Sequence, residues 1–310
     1  MLPETILFQN ILALFLLIGV AISRSASRRE ALLRLFGAWS MMIGLIVAGV
    51  WISPPPIAPW IYCLLLVLAS GLHLFRSVGH ERVRLLRLSH IPTFVSIGLG
   101  ALFLWQGLSG RLQPDIEIIN LAAPMQQADG ICVLSGGNSV AVNAHFLTAG
   151  TPLGLKEIHS VDFIKVRAGG FRTRSWHFAP QPEDIEEYLV YNEPVFAPCD
   201  GAVLEMKNDH PDHPAGGRYR DTSGVNYITL RCGKVDLILG HLKRGSIEVS
   251  VGQTLSTGDF IGTVGNSGNT EEPHLHIQAQ TVLPTESKDI YPRPVAMTFN
   301  GRYLSRGECL

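Results

Sequence analysis

The sequence predicts an all-β domain of antiparallel strands preceded by four transmembrane α-helices. Three long uncharged runs fill the first third of the 310-residue chain, and arginine clusters punctuate them. From Gly110 onward, short apolar runs alternate with turn residues. The charge balance changes sign at the same place. Residues 1–108 hold eight Arg and three Glu, a balance of +5, and the remaining 17 basic and 23 acidic residues give −6. The whole-chain charge of −1 is therefore a cancellation. A content of 46% hydrophobic and 16% charged residues excludes a disordered chain and a small disulfide-stapled scaffold. The absence of a basic excess argues for no nucleic acid partner.

Residues 5–23 carry no charge, and neither do 35–75 or 88–110. About 20 apolar residues in a helix cross the hydrocarbon core of a bilayer. The middle run is long enough for two crossings that reverse at Pro54, Pro55 and Pro56. Helices are expected near 5–23, 35–53, 57–75 and 88–108, the second and third as a hairpin. Arg24, Arg28, Arg29 and Arg34 follow the first run, and Arg76, Arg82, Arg84 and Arg87 precede the last. Basic loops stay in the cytoplasm. The chain is thus expected as a multi-pass protein of the inner (cytoplasmic) membrane, with the lipid bilayer as a partner. Its N-terminus, the proline reversal and the C-terminal domain fall on the periplasmic or extracellular side. A cleaved signal peptide would carry its basic residues before the first run, not after it. Gln9, Asn10, Ser40, Ser70, His73 and His90 are polar exceptions without an acid paired in sequence, and are read as helix contacts or interfacial groups.

Beyond residue 110, strands are expected at 139–146, 160–168, 201–207, 226–232, 235–242 and 273–280, each bounded by Gly, Pro, Asn or Asp. A short helix is expected near 183–189, and 208–224 reads as a long surface loop. Cys132, Cys199, Cys232 and Cys309 allow three disulfide pairings, and buried small hydrophobes are an equal reading. Cys63 falls in a membrane helix.

The sharpest chemical feature is His274-Leu275-His276. In a strand, residues two apart face the same side, so both imidazoles can address one site. His241 ends an apolar strand, and Asp162 interrupts another. A carboxylate in an apolar strand needs a partner, and a cation is a natural one. Histidine and carboxylate ligands with an open position suit a catalytic zinc ion.

These residues carry a resemblance. HSVDFIKV, VFAPCDGAVLEMKND and GHLKRGSIEVSVGQTLSTGDFIGTVGNSGNTEEPHLHIQ occur in an order that resembles the M23 (lysostaphin, LytM-type) zinc metallopeptidases. The resemblance covers about residues 130–285. It implies a LytM-like, barrel-sandwich fold, a Zn2+ cofactor and hydrolysis of peptide bonds in peptidoglycan. It further implies Asp162 and His276 as metal ligands and His241 and His274 as catalytic. The remaining ligand departs from the family pattern. A histidine commonly stands four residues before the Asp, where this chain has Ile158. His159 stands three before, which on a strand faces the wrong side. His145, taken as lying in a strand, is preferred over His159. Asn266 and Asn269, in a glycine-rich turn, are candidate substrate contacts. That turn lacks the GK[ST] ending of a phosphate loop. The run 251–265 also resembles a biotinyl-carrier turn, but no modifiable Lys follows.

The expected organisation is a four-helix anchor at 1–110, a juxtamembrane linker at 111–129, the peptidase domain at 130–285 and an irregular C-terminal tail packed on that domain at 286–310. Two competing readings are a non-catalytic LytM-like module that binds the wall or activates other wall hydrolases, and a membrane sensor whose outer domain binds wall peptides. Partners are peptidoglycan peptides, with regulatory membrane or cell-wall proteins left open.

Overall fold

The computed structural model describes residues 2–52, 56–77, 88–126, 130–151, 154–175, 181–216, 224–282 and 292–310. Pro54, Pro55, Arg82, Arg84, Arg87 and residues 217–223 of the expected surface loop lie outside the described residues. Two compact units divide the chain, Met1–Ser109 and Gly110–Leu310.

The first unit holds α1 (Leu2–Ile22), α2 (Arg28–Ala48), α3 (Ala58–Arg76) and α4 (Ile91–Ser109). All four helices are long and apolar enough to cross a membrane. Ser27 caps α2 by accepting from Glu30 N, and Glu30 reaches back to Ala26 N at 2.9 Å. This reciprocal pair satisfies amides that a helix start leaves open.

The polar exceptions all find partners within this unit. Gln9 bonds both the amide and the carbonyl of Val50, at 2.8 and 3.0 Å. Asn10 accepts from the Tyr62 hydroxyl at 2.6 Å. Ser40 donates to Ile97 O and Ser70 to Leu66 O. Buried His73 lies 3.1 Å from Ser25 Oγ. His90, which has no acid beside it in sequence, stands 3.2 Å from Glu30, and Glu30 also takes Arg34 at 2.9 Å.

Helices α2 and α4 touch backbone to backbone. A Cβ on Gly100 would meet Ser40 C and O, and one on Gly44 would meet Gly100 O. Gly37 and Gly107 extend the contact against Thr93 and Val47. Small residues permit such a close approach of two helix backbones.

The second unit is built on a sheet of β1 (Ile118–Leu121), β2 (Ile131–Ser135), β3 (Val161–Lys165), β5 (Gly201–Lys207), β6 (Tyr227–Cys232), β7 (Val235–Gly240), β8 (Thr254–Leu255), β10 (Leu275–Thr281) and β11 (Pro294–Phe299). β4 (Pro194–Phe196) and β9 (Phe260–Thr263) form a separate antiparallel pair. The order is β1-β11-β10-β7-β6-β5-β8, with β3 on the first half of β10 and β2 beyond it. Alternation sends Leu275, Ile277, Ala279, Leu237, Leu239, Ile228, Leu230, Val161 and Phe163 into one core. The opposite face carries His276, Gln278 and Gln280.

Four expectations are corrected. Residues 111–129 are more than a linker, because β1 lies within them and pairs in parallel with β11. The tail is not irregular, since β11 is a strand of the main sheet and fully buried at Val295 and Ala296. Residues 139–146 form no strand: a turn leads into a 3-10 segment, Ala144–Thr148, capped by Asn143. Near 183–189 there is a single 3-10 turn, Ile185–Glu187. The four cysteines of the second unit pair as Cys132–Cys309 and Cys199–Cys232.

The glycine contact yields a test. Gly100→Val should destabilise the helical unit by about 2 kcal/mol or more, as overpacking against backbone does. Gly98→Val, where nothing lies within 4 Å of the added Cβ, should cost less than half of that. Thermal unfolding of the detergent-solubilised chain measures both, and equal losses would contradict the close approach.

Candidate active site

Sheet register assembles the centre. His276 on β10 stands opposite Asp162 on β3 and, on its other side, opposite Gly240 on β7. Cross-strand partners share a face, so Asp162 and His276 project side by side. His276 Nδ1 lies 2.9 Å from Asp162 Oδ1. His274, immediately before the strand, places Nε2 3.6 Å from the same oxygen. The His-x-His pair thus faces one site, as its spacing predicts.

His241 reaches the site by a different device. Continued alternation from Gly240 would turn it toward the core. Instead it adopts φ 61°, a left-handed conformation uncommon outside glycine. Its ring comes to 4.6 Å from that of His274 and 5.7 Å from that of His276, centroid to centroid. Such backbone costs of order 1 kcal/mol and persists only where its surroundings hold it. Here Nδ1–H donates to Ser267 O at 2.7 Å. Ser267 Oγ in turn donates to Leu242 O and accepts from Asn226 N.

His145 arrives from the 3-10 segment. Its Nδ1–H donates to Asn143 Oδ1 at 2.8 Å, leaving Nε2 3.5 Å from Asp162 Oδ2. Sequence alternation preferred His145, but a cap rather than a strand brings it beside Asp162. His159 is buried elsewhere, with its ring against Phe146, and belongs to neither of the two His/Asp groups able to hold a metal.

Every one of the four imidazoles has its outward nitrogen next to an oxygen. His274 Nδ1–H donates to Glu272 O at 2.8 Å. His276 Nε2 stands 3.4 Å from Gln278 Oε1. Held this way, the inward nitrogens of His145, His241 and His274 present lone pairs to the centre, the arrangement metal-binding and proton-accepting histidines require. Glu272, whose carbonyl holds His274, is fixed by a buried ion pair with Arg172 at 2.9 Å. No short motif marks Arg172 or Asn143; their roles follow from position in the fold.

The electrostatics are those of one coupled centre. Burial pushes the Asp162 carboxyl up, but His145, His274 and His276 more than offset this and hold it well below the ordinary range. Burial pushes His145 down to about 4, and His241 falls well below 6.5 through burial and its imidazole neighbours. Burial also opposes charge on His276, yet Asp162 raises its pKa overall. The site so favours an anionic Asp162 beside neutral His145 and His241, with the proton held more firmly on His276.

His145, Asp162 and His276 offer ligand atoms within 4.8 Å of one another, as do His241, His274 and His276. The first set combines two imidazoles with a carboxylate whose charge a divalent ion would neutralise. Asn266 does not stand free at the rim. It is fully buried, donating to His213 O at 2.8 Å and accepting from Thr270. Asn269 is exposed. Residues 208–216 pack on the same turn, with Asp212 accepting from Asn266 N.

Comparison with known proteins follows the same residues. Residues 185–290 match the sequence model of Peptidase family M23. Endolysin 2638A of Staphylococcus phage 2638A is 40% identical over 58 residues, 18% of this chain and 12% of that protein. The chain therefore spans about one eighth of that relative's length. A zinc-containing peptidase from Vibrio cholerae is 19% identical, covering 56% of this chain and 37% of the other, with a TM-score of 0.28. The catalytic domain of lysostaphin from Staphylococcus simulans is 22% identical over 36% of this chain and 81% of that domain, with a TM-score of 0.23. Overlaps this partial carry no weight beside the site itself. Residues 185–290, which supply His241, His274 and His276, are the part of the chain that matches Peptidase family M23.

Proposed function

We propose that the protein is a membrane-anchored, zinc-dependent endopeptidase that hydrolyses peptide bonds in peptidoglycan stems or cross-links. The observation that carries this is the convergence of four oriented imidazoles on one buried carboxylate. Family M23 supports peptide hydrolysis and a peptidoglycan substrate. The four apolar helices, with arginines between them, support the anchor and a site on the cell-wall side.

The residues fit zinc. His145 Nε2, Asp162 and His276 Nδ1 would hold it, two imidazoles and one carboxylate being a familiar catalytic donor set. Bound there, zinc supplies polarisation of the scissile carbonyl and acidification of a water molecule. His241 and His274 turn Nε2 toward the same centre, and either accepts the water's proton there. The resulting N–H then donates to the oxyanion or to the leaving amine. Ser267 O and Glu272 O keep the opposite N–H fixed, so each ring meets the reaction in one orientation. Asn269 at the rim is positioned to touch the peptide, while Asn266 acts through the turn that carries it.

Full-length protein should hold one zinc per chain and release soluble peptides from peptidoglycan. Asp162→Ala and His276→Ala should lose both. His274→Ala should keep the metal and lose about 10²–10⁴-fold in rate, the range for a general acid–base residue. A chain that binds zinc but leaves peptidoglycan intact would instead be a wall-binding module.

His159 gives a separate pH test. Burial depresses its pKa to about 4. The folded state holds it neutral while the unfolded chain takes up a proton below about 6.5, so stability falls as pH drops from 6.5 to 4 and not further. The shift amounts to about 3 kcal/mol at most. Metal-free His159→Phe should lose correspondingly less stability across that window than wild type in thermal or urea unfolding, while retaining zinc affinity. Equal slopes would show that His159 is not buried as described.

A further inference from the structure

We propose that Arg306 is a positioning residue for His145, so that the C-terminal six residues aim the first metal ligand. The inference rests on His145 being that ligand.

Residues 305–310 run alongside β2. Val133 N donates to Glu308 O, Gly307 N to Val133 O and Leu310 N to Ile131 O, each at 2.9 Å. The Cys132–Cys309 disulfide ties the same two segments. This ladder carries Arg306 inside, where only 8% of it is exposed. Its backbone amide donates to Gly136 O at 3.1 Å, Nε to Leu134 O at 3.0 Å and Nη1 to Ala141 O at 2.6 Å. The side chain therefore grips the residue before Ser135 and one two before Asn143, while the backbone amide holds the residue after Ser135.

Those are the residues that aim the ligand. Asn143 is fully buried, and its Nδ2 lies within bonding distance of Gly137 O, Ile158 O and Ser160 O at 3.0–3.2 Å. Its Oδ1 accepts from Ser135 Oγ, His145 N and His145 Nδ1. Ser135 Oγ also accepts from Ala144 N at 2.9 Å. The path from the Arg306 guanidinium to the imidazole thus runs through the Leu134 and Ala141 carbonyls, Ser135 and the 136–143 loop, and one amide oxygen. Burying a guanidinium is costly, and a packed apolar side chain would stabilise the fold as well or better. What a methyl or methylene cannot do is bind the Leu134 and Ala141 carbonyls at fixed angles. Arg306, Asn143 and His145 all lie outside residues 185–290, so the matched segment leaves its first ligand to be oriented by the flanks.

The test is a double-mutant cycle on metal-stripped, full-length protein titrated with Zn2+ against a chelator. Arg306→Met and Asn143→Ala should each weaken zinc about 10–100-fold, as loss of an orienting partner does. His145→Ala should weaken it more, and adding Arg306→Met to His145→Ala should change nothing further. An Arg306→Met loss of the same factor in both backgrounds would mean a merely structural role and overturn the proposal. So would unchanged zinc affinity in folded Arg306→Met. If that variant does not fold, Arg306→Lys carries the test: it should weaken zinc several-fold with His145 present and not at all without it, and any other result overturns the proposal. Wild-type affinity in His145→Ala would instead overturn the ligand assignment itself, leaving Asp162, His241, His274 and His276 to be reconsidered.

Discussion

Asp162 is a carboxylate withdrawn from water in the middle of a sheet, and much of the second unit is arranged around that fact. An unpaired charge there would cost several kcal/mol. Register supplies His276 directly opposite, and two more imidazoles approach within 3.6 Å. Each imidazole then needs its own far nitrogen satisfied, which draws in Asn143, Gln278 and the carbonyls of Glu272 and Ser267. The site is therefore built in shells: a charge, the rings that answer it, and the oxygens that fix the rings. That layering explains why Arg172, Asn226 and Arg306, none of which faces the centre, are buried polar groups in a small domain.

The helical unit obeys the same rule. Among apolar helices a polar group without a partner is costly. Gln9, Asn10, Ser40, Ser70 and His73 each take one within their own bundle. Glu30 serves three purposes at once, closing the cap of α2, holding Arg34 and meeting His90. Glycines set the spacing of α2 and α4, since neighbouring backbone occupies the space a Cβ would need.

The chemistry-bearing types were largely legible because they violate local patterns: a carboxylate and histidines inside apolar runs stand out against period-2 alternation. Two placements were not. His241 lies in the core phase of β7 and reaches the site only through a positive φ, which the neighbouring turn enforces. His145 sits on a capped 3-10 turn, so the strand alternation read along 139–146 is not what brings it beside Asp162. Asn266 looked like a free amide in a glycine-rich turn, yet the folded 208–216 segment consumes both ends of it.

The amino-acid sequence by itself determined the division into an apolar helical third and a β-rich remainder. Hydropathy, charge and alternation are properties of residues near one another along the chain, and local physics reads them. It also determined that His274 and His276 share a face, because strand pleat is local too. Only the tertiary structure decided which distant groups meet. It paired β1 with β11, closed Cys132 onto Cys309, and set Arg306 against a loop 165 residues earlier. Those contacts depend on strand order and register, which are fixed by the packing of the whole core.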